Sequence, residues 1–122
     1  MAWKFDSDTP VSYQVANKLR LDILNGVYPA GSQFPSVRVL ACEASINPNT
    51  MQKALSLLEA EGLLESRGTI GRFVTQDTEI LQKTLLNMQR EYLKKVVASA
   101  SALMLTPQDI IDFLEKGDYL DE

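Results

Sequence analysis

The sequence contains no histidine and only one cysteine, Cys42. Without histidine the chain lacks the usual acid/base side chain, the base of Ser-His and Cys-His nucleophiles, and a common zinc ligand. One cysteine excludes an intrachain disulfide, and its neighbours in VLACEAS predict a small, buried side chain on a helix. We therefore do not expect an enzyme, a metal site or a cofactor.

Long apolar runs are missing as well, and the first residues, MAWKFDSD, are too polar for a secretory signal. We therefore expect no membrane association and a cytoplasmic location. The 122 residues suffice for one domain, or for one small domain with an appended arm. The 45% apolar and 23% charged residues are typical of a globular protein.

The net charge of −4 is unevenly distributed along the chain. Residues 1–75 contain seven acids and seven bases, whereas residues 76–122 contain nine acids and five bases. The acidity therefore belongs to the C-terminal part. A neutral N-terminal part can still bind phosphates if its bases share one face, because the local field matters more than the total charge.

A first helix is predicted in TPVSYQVANKLRLDILNG, with Thr9 and Pro10 as its cap and first turn and Gly26 as its end. The connector that follows, VYPAGSQFPS, is rich in proline and glycine. Within it, Gln33 and Phe34 are predicted to form a short extended piece. The N-terminal part thus begins with one helix and a structured connector.

Two further helices predict a helix-turn-helix. Ser36 is suited to cap VRVLACEA, on which Arg38 faces outward. The next helix lies in NPNTMQKALSLLEAEG, with Asn47 as its cap and Pro48 at the first position, where the missing N–H costs nothing. These two helices are the candidate DNA-binding element of the molecule.

A hairpin follows the third helix. LLESRGTIGRFVT predicts two short strands, 63–66 and 72–75, around a turn from Gly68 to Gly71. Three helices and a hairpin make a winged helix-turn-helix, which we assign to residues 1–75. The fold class is therefore mainly α with a small β wing.

Residues 76–105 contain no glycine or proline and keep a helical period, which predicts one long helix. Its apolar residues form two stripes, so the helix needs two partners, one of them its own domain and the other a second copy of the chain. The first stripe, our candidate dimer contact, contains Leu81, Leu85, Met88, Tyr92 and Val96; the second contains Leu86, Leu93, Val97, Ala100 and Met104. Thr106, Pro107 and Asp109 predict the start of a last helix that ends at Gly117. Residues 76–122 are therefore assigned as a helical dimerisation region.

In a helix-turn-helix, the N-terminal part of the second helix enters the major groove of DNA. Its candidate contacts are polar residues opposite the apolar face, where carboxamides suit adenine and lysine favours phosphate: Asn49, Thr50, Gln52 and Lys53. Arg38 is a further candidate, as are three residues at the wing tip: Arg67, Gly68 and Thr69. The alternative is a solvated polar face, with the glycines present only for turn geometry.

Other charged side chains are interpreted as surface residues. Lys18 and Arg20 on the first helix are weaker candidates for DNA contact and are expected to be solvated. The same holds for three acids near the end of the third helix and in the first strand: Glu59, Glu61 and Glu65.

Residues 9–75, with PVSYQVANKLRLDIL, YPAGSQFPSVRVLA, NPNTMQKALSLLEAEGLLES and GRFV, closely resemble the winged helix-turn-helix domain of GntR-family bacterial transcription regulators. A chain this short, with NPNT and two helices after the wing, resembles the YtrA-type subfamily, whose members are small dimeric repressors often linked with ABC-transporter operons. About 47 residues after Thr75 cannot form the large effector domain of other subfamilies. We assign no small-molecule effector.

The resemblance implies DNA contact by Arg38, by the wing near Arg67 and Gly68, and by four positions of the recognition helix: Asn47, Asn49, Thr50 and Gln52. Many relatives have an arginine at the position of Pro48, and often another at the position of Gln52. Amide and phosphate contacts are therefore expected to replace guanine readout. RGTIGR also departs from the common Arg-Arg-Gly-x-Gly-Thr order of the wing.

The combined hypothesis is a homodimeric repressor that binds a double-stranded DNA operator with inverted repeats, with an ABC-transporter operon as one target. The alternative is a winged-helix protein-interaction module without sequence-specific DNA binding.

Overall fold

The computed structural model describes residues 3–117. Within them lie five helices and two strands: α1, Val11–Leu24; α2, Val37–Ala44; α3, Pro48–Ala60; β1, Leu64–Ser66; β2, Arg72–Val74; α4, Thr78–Ala102; α5, Pro107–Lys116. A short 3₁₀ turn between the strands, Gly68–Ile70, is called the wing turn. The predicted fold class, mainly α with a small β wing, is confirmed.

The chain divides into two compact units, Met1–Gln82 and Lys83–Glu122. The predicted regions 1–75 and 76–122 begin and end in residues 1–2 and 118–122, which lie outside the described residues. The first turn of α4 belongs to the first unit because Ile80 and Leu81 pack against its core.

The start of α1 differs from the prediction. Pro10 precedes the first helical residue, and no side chain caps the helix, so the expected cap role of Thr9 is wrong. Instead, the side-chain amide of Gln14 donates to the carbonyl oxygens of Thr9 (2.8 Å) and Asp6 (3.0 Å), and its Oε1 accepts from the Asp6 N–H (3.0 Å). A glutamine inside the helix thus holds the segment that precedes it.

The helix-turn-helix forms as its sequence predicts. Ser36 Oγ accepts a hydrogen bond from the Val39 N–H at 3.2 Å, which caps α2. Three residues separate α2 from α3, and the first of them, Ser45, takes the left-handed conformation at φ 57°. Asn47 caps α3, and Pro48 is its first residue.

The two strands of the wing pair antiparallel, with Leu64 opposite Val74 and Ser66 opposite Arg72. The predicted extended piece at Gln33 is also present, because Gln33 forms an antiparallel bridge with Phe73. The connector between α1 and α2 therefore lies along β2.

One hydrophobic core holds the first unit together, and α3 packs against α1, α2 and β1. Its buried side chains are Val15, Ala16, Leu19, Ile23, Phe34, Leu40, Ala41, Ala44, Met51, Ala54, Leu55, Leu58, Leu63, Leu64 and Val74. Three helical stripes thus face one another, and their polar sides face outward.

Cys42 is exposed, so its predicted burial is wrong. The buried face of α2 consists of Leu40, Ala41 and Ala44. Cys42 is one residue beyond Ala41, a rotation of about 100° around the helix, which carries it away from the core.

In the second unit, α5 begins with the predicted capping box. Thr106 Oγ1 accepts from the Asp109 N–H (3.1 Å), and Asp109 Oδ2 accepts from the Thr106 N–H (2.7 Å). The hydrogen bond from the Thr106 backbone, together with the Thr106 hydroxyl, lowers the pKa of Asp109 below its usual value. Gly117 ends the helix in the left-handed conformation, with φ 71°. None of the residues of α4 is fully buried within the described chain.

Candidate nucleic-acid interface

The first turns of α3 place the predicted recognition residues on its outer side. Asn49, Gln52 and Lys53 are exposed and Thr50 is half-buried, whereas Met51 and Leu55 on the inner side are fully buried. The helix is therefore divided into a polar face and a core face, and the polar face is open to a ligand.

Two of the candidate amides are already engaged within α3. Asn47 Oδ1 accepts from the Asn49 N–H at 2.7 Å, and Gln52 Nε2 donates to Ser56 Oγ at 3.2 Å. Each amide keeps free groups, since Asn47 retains its NH₂ donors and Gln52 its carbonyl acceptor. The Asn49 side chain has no hydrogen bond among residues 3–117.

Arg38 lies in the first turn of α2 and is exposed, as predicted. Its guanidinium forms no ion pair or hydrogen bond with the described part of the chain. Lys53 on α3 is likewise exposed and unpaired there. Both helices of the helix-turn-helix thus carry an uncompensated positive charge.

The other cations of the first unit are mostly neutralised. Arg20 binds Glu61 through two hydrogen bonds, from Nε to Oε1 (2.7 Å) and from Nη2 to Oε2 (2.6 Å). Lys18 pairs with Asp22 at 3.0 Å and also lies 4.7 Å from the centre of the Trp3 ring.

Arg72 forms an ion pair with Glu59. The interpretation of Arg20, Glu59 and Glu61 as merely solvated is therefore wrong, because each has a partner brought near by the tertiary fold. Of the seven bases in residues 1–75, only Lys4, Arg38 and Lys53 have no acidic or aromatic partner in the described chain.

The wing places Arg67, Gly68 and Thr69 at its tip. The Arg67 guanidinium lies 4.1 Å from the centre of the Phe73 ring and 3.8 Å from the Glu65 carboxylate. Both charged side chains are about half exposed, so this loose pair leaves much of the positive charge accessible. Gly68 has φ 58°, and nothing lies within 4 Å of where its Cβ would be.

Sequence reasoning missed the hydrogen bond that Gln33 makes to the wing turn. Gln33 Nε2 donates to the Ile70 carbonyl oxygen at 2.8 Å across 37 residues of sequence. The only signal was the expected extended piece at Gln33 and Phe34, which gives no partner for the side chain.

Among residues 3–117, most of the large apolar side chains that are exposed belong to the second unit. On α4, Leu86, Leu93 and Val97 are exposed by 61, 60 and 50%. They share one open face of α4 with five polar or small residues: Gln89, Arg90, Lys94, Ala98 and Ser101. A surface of this kind is typical of an interaction site.

The predicted dimer stripe is distributed unevenly. Leu81 packs against the core of the first unit, Met88 and Val96 are half-buried, and Leu85 and Tyr92 are exposed. The second stripe is therefore more accessible than the first.

Residues 3–117 contain no group of three potential metal ligands among histidine, cysteine and the acids. No helix among them has the length and apolar content required to cross a membrane.

Residues 11–74, from α1 to β2, match the model of the family "Bacterial regulatory proteins, gntR family". The chain belongs to the GntR family. It is 33% identical to the HTH-type transcriptional repressor YtrA of Bacillus subtilis over 95 residues, which cover 77% of this chain and 73% of that protein. The resemblance to YtrA-type GntR regulators is thereby confirmed.

Two further GntR relatives match nearly the whole chain. The HTH-type transcriptional regulator YhcF of Bacillus subtilis is 29% identical over 109 residues, covering 89% of this chain and 90% of that protein. The structure of a GntR-family transcriptional regulator from Listeria monocytogenes is 26% identical, covers 92% of this chain and 98% of that chain, and superposes with a TM-score of 0.83. This GntR-family protein is therefore a DNA-binding transcriptional regulator and not an enzyme.

Proposed function

We propose that the protein is a homodimeric repressor that binds an operator with inverted repeats. One observation carries this proposal: Arg38 and Lys53 lack acidic partners, while Lys18, Arg20 and Arg72 are paired. Residues 1–75 contain equal numbers of acids and bases, so their net charge does not attract DNA. Binding to phosphate therefore requires unpaired cations on the surface that meets DNA. Arg38 and Lys53 lie on the two helices of the helix-turn-helix, whereas Lys4, the third unpaired base of residues 1–75, precedes α1.

In this proposal, α3 enters the major groove with its first two turns. Asn49 contacts an adenine edge, Gln52 contributes the acceptor that Ser56 leaves free, and Thr50 contacts a base or phosphate. Arg38 contacts a guanine or a phosphate, and Lys53 a phosphate. Asn47 contributes only its NH₂ group, because its oxygen caps the helix.

The wing contacts the DNA backbone or minor groove through Arg67, Thr69 and the backbone at Gly68. The exposed guanidinium of Arg67 supports this role, since Phe73 orients it and Glu65 only partly neutralises it. The wing therefore adds affinity, while α3 supplies most of the sequence preference.

We assign dimerisation to residues 76–122 and favour the stripe of Leu86, Leu93 and Val97 as its centre. Leu86 and Leu93 are separated by one heptad, and Val97 follows four residues later, which is the a/d spacing of a two-helix seam. These side chains are half exposed or more, whereas Leu81 is used by the first unit. Leu85, Met88, Tyr92 and Val96 then flank the seam or contact other parts of the second unit.

Binding assays test the function directly. Wild-type protein is measured against DNA of its own promoter region and against unrelated DNA of equal length, at several salt concentrations. We expect tight binding to the promoter with two half-sites about one DNA turn apart, and a steep loss of affinity with salt. Equal affinity for both DNAs would sink the proposal. Repression is read in a reporter strain in which the gene is deleted, where reporter expression should rise.

Sedimentation velocity tests the dimer. Leu93→Glu places a charge in the favoured stripe, and Tyr92→Glu places one in the other stripe. Leu21→Glu, at an exposed apolar position of α1, is the matched control. We expect a monomer only for Leu93→Glu; a dimeric Leu93→Glu and a monomeric Tyr92→Glu would transfer the interface to the first predicted stripe.

The competing hypothesis is a winged-helix interaction module that binds a protein and does not read DNA. It predicts a stoichiometric protein partner recovered without DNA and no DNA shift in the assay above. The resemblance to YtrA-type regulators further suggests an ABC-transporter operon as a target, and a transporter gene next to the regulator would support it. A regulator that acts on the chromosome would work in the cytoplasm.

A further inference from the structure

The wing turn is hydrogen-bonded to Gln33, a residue that precedes the hairpin in the α1–α2 connector. Its side-chain amide donates to the carbonyl oxygen of Ile70 at 2.8 Å. Within the part of the chain that the structure describes, no other side chain is hydrogen-bonded to residues 68–71. The contact therefore links the α1–α2 connector to the tip of the wing.

The backbone around Gln33 is itself fixed on β2. The Phe34 N–H donates to the Arg72 carbonyl at 2.8 Å, and the Val74 N–H donates to the Ser32 carbonyl at 2.9 Å. Phe34 is buried in the core next to these bonds. The connector thus pairs with β2 and holds the Gln33 side chain beside the turn.

The wing turn benefits from such support because it begins with one glycine, Gly68, and is followed by another, Gly71. Gly68 has φ 58° and Gly71 has φ 116°, and glycine loses more conformational freedom on ordering than any other residue. Inside the turn, the Arg67 N–H donates to the Gly71 carbonyl (2.8 Å), and the Ile70 N–H donates to the Arg67 carbonyl (3.1 Å). A Cβ on Gly71 would lie 3.3 Å from Gln33 Nε2, so the amide lies directly against the turn.

We propose that Gln33 is a positioning residue for DNA binding, which holds the wing turn in the shape that presents Arg67 and Thr69 to DNA. This inference rests on the proposed function and identifies a residue outside both the recognition helix and the hairpin. Gln33 acts through the wing and needs no contact with DNA of its own. Without the hydrogen bond from Gln33, the turn must become ordered when DNA binds. The conformational entropy lost in that ordering lowers the affinity for DNA.

The test uses a DNA duplex selected by the wild-type protein from a random-sequence library. Gln33→Ala removes the donor, and Gln33→Glu replaces it with an acceptor of the same size. Gln82→Ala, at an exposed glutamine of α4 whose side chain has no hydrogen bond among residues 3–117, is the control. We expect Gln33→Ala to weaken binding by about three- to tenfold, the effect of one hydrogen bond, and Gln33→Glu to weaken it at least as much. Gln82→Ala should bind like the wild type.

A second arm separates positioning from a general loss of stability. In an Arg67→Ala, Thr69→Ala background, Gln33→Ala should weaken binding much less than it does in the wild type, and the base preference read by α3 should stay unchanged. Full weakening in that background, or wild-type affinity of Gln33→Ala, overturns the inference.

Amide hydrogen exchange of Arg67 and Ile70, whose N–H groups are hydrogen-bonded within the turn, is measured by NMR on the DNA-free protein and tests independently whether Gln33 orders the turn. It should accelerate in Gln33→Ala and remain unchanged in Gln82→Ala; unchanged exchange in both overturns the inference. If the wild-type protein selects no preferred sequence, the proposed function fails, and this exchange measurement still reports on the role of Gln33 in the wing.

Discussion

The side chain of Asn47 closes the first turn of α3 by accepting a hydrogen bond from the backbone N–H of Asn49, at 2.7 Å. One residue that the family resemblance assigns to DNA contact is thus also a structural cap. The two roles make different demands on the side chain, because a cap requires only the oxygen, whereas contact with DNA also depends on charge.

Substitution of Asn47 separates these roles. Asn47→Asp keeps the oxygen that caps α3 and places a negative charge beside the DNA, so stability should be retained and operator affinity should fall. Asn47→Ala removes the cap and should lower the free energy of unfolding by about 1 kcal/mol. Urea unfolding and operator titration measure the two effects. Operator binding by Asn47→Asp at the wild-type level would place residue 47 outside the interface.

Arg38 and Asn49 are predicted to contact bases. Arg38→Ala and Asn49→Ala should each weaken operator binding by roughly 1–3 kcal/mol, the usual value of a direct base contact. Affinity for unrelated DNA should change much less in Asn49→Ala, since that residue carries no charge. Unchanged operator affinity in both variants would refute these assignments.

Lys53 is predicted to contact phosphate and therefore to act independently of sequence. Lys53→Ala should weaken specific and unrelated DNA alike and reduce the slope of log affinity against log salt by about 0.9. Lys18→Ala is the matched control, because Lys18 is paired with Asp22. An equal loss of slope in both variants would mean that Lys18 and Lys53 contribute equally to phosphate binding, which contradicts the proposed interface.

The pair of Arg20 and Glu61 is predicted to stabilise the fold and to leave DNA binding unchanged. Its two hydrogen bonds join α1 to the C-terminal end of α3, and the Arg20 side chain is only 17% exposed. A double-mutant cycle with Arg20→Ala and Glu61→Gln should give a coupling free energy of about 1 kcal/mol. Denaturant unfolding measures it; additive effects would indicate that the pair contributes nothing.

Acid should weaken the start of α5. Hydrogen bonds from Thr106 lower the pKa of Asp109, so its contribution to stability is present above the pKa of the unfolded chain and lost as pH falls through the folded value. Amide exchange of Ile110 and Ile111 should therefore show weaker protection in acid, below the usual pKa of an aspartate, than at neutral pH, after correction for the intrinsic exchange rate. The same loss in Asp109→Asn, which has no carboxyl to titrate, would assign the effect to other groups.

Local signals in the sequence predicted most of the fold. Ser36, Asn47 and the Thr106–Asp109 box cap the helices that they were expected to cap. Such caps act within three residues, so they can be predicted from the sequence. The prediction for Cys42 was wrong because its burial depends on which side of an eight-residue helix meets the core.

The site was less accessible to sequence reasoning. The outward position of Arg38 follows from helical periodicity, but its freedom from acidic partners depends on the whole fold. Arg20 and Glu61 are 41 residues apart in sequence, and Gln33 and Ile70 are 37 apart. No local pattern encodes such distances, so neither the neutralised cations nor the fastening of the wing was predictable.

The ion pairs formed by the Glu59 and Glu61 carboxylates also bear on how a DNA-binding regulator would search a genome for its operator. A chromosome offers on the order of a million or more competing non-specific sites, and every free cation lengthens each unproductive stay. By pairing with Arg72 and Arg20, these acids compete with phosphate for two cations of the first unit. We therefore expect the protein to leave non-operator DNA sooner than it would if Arg20 and Arg72 were also free.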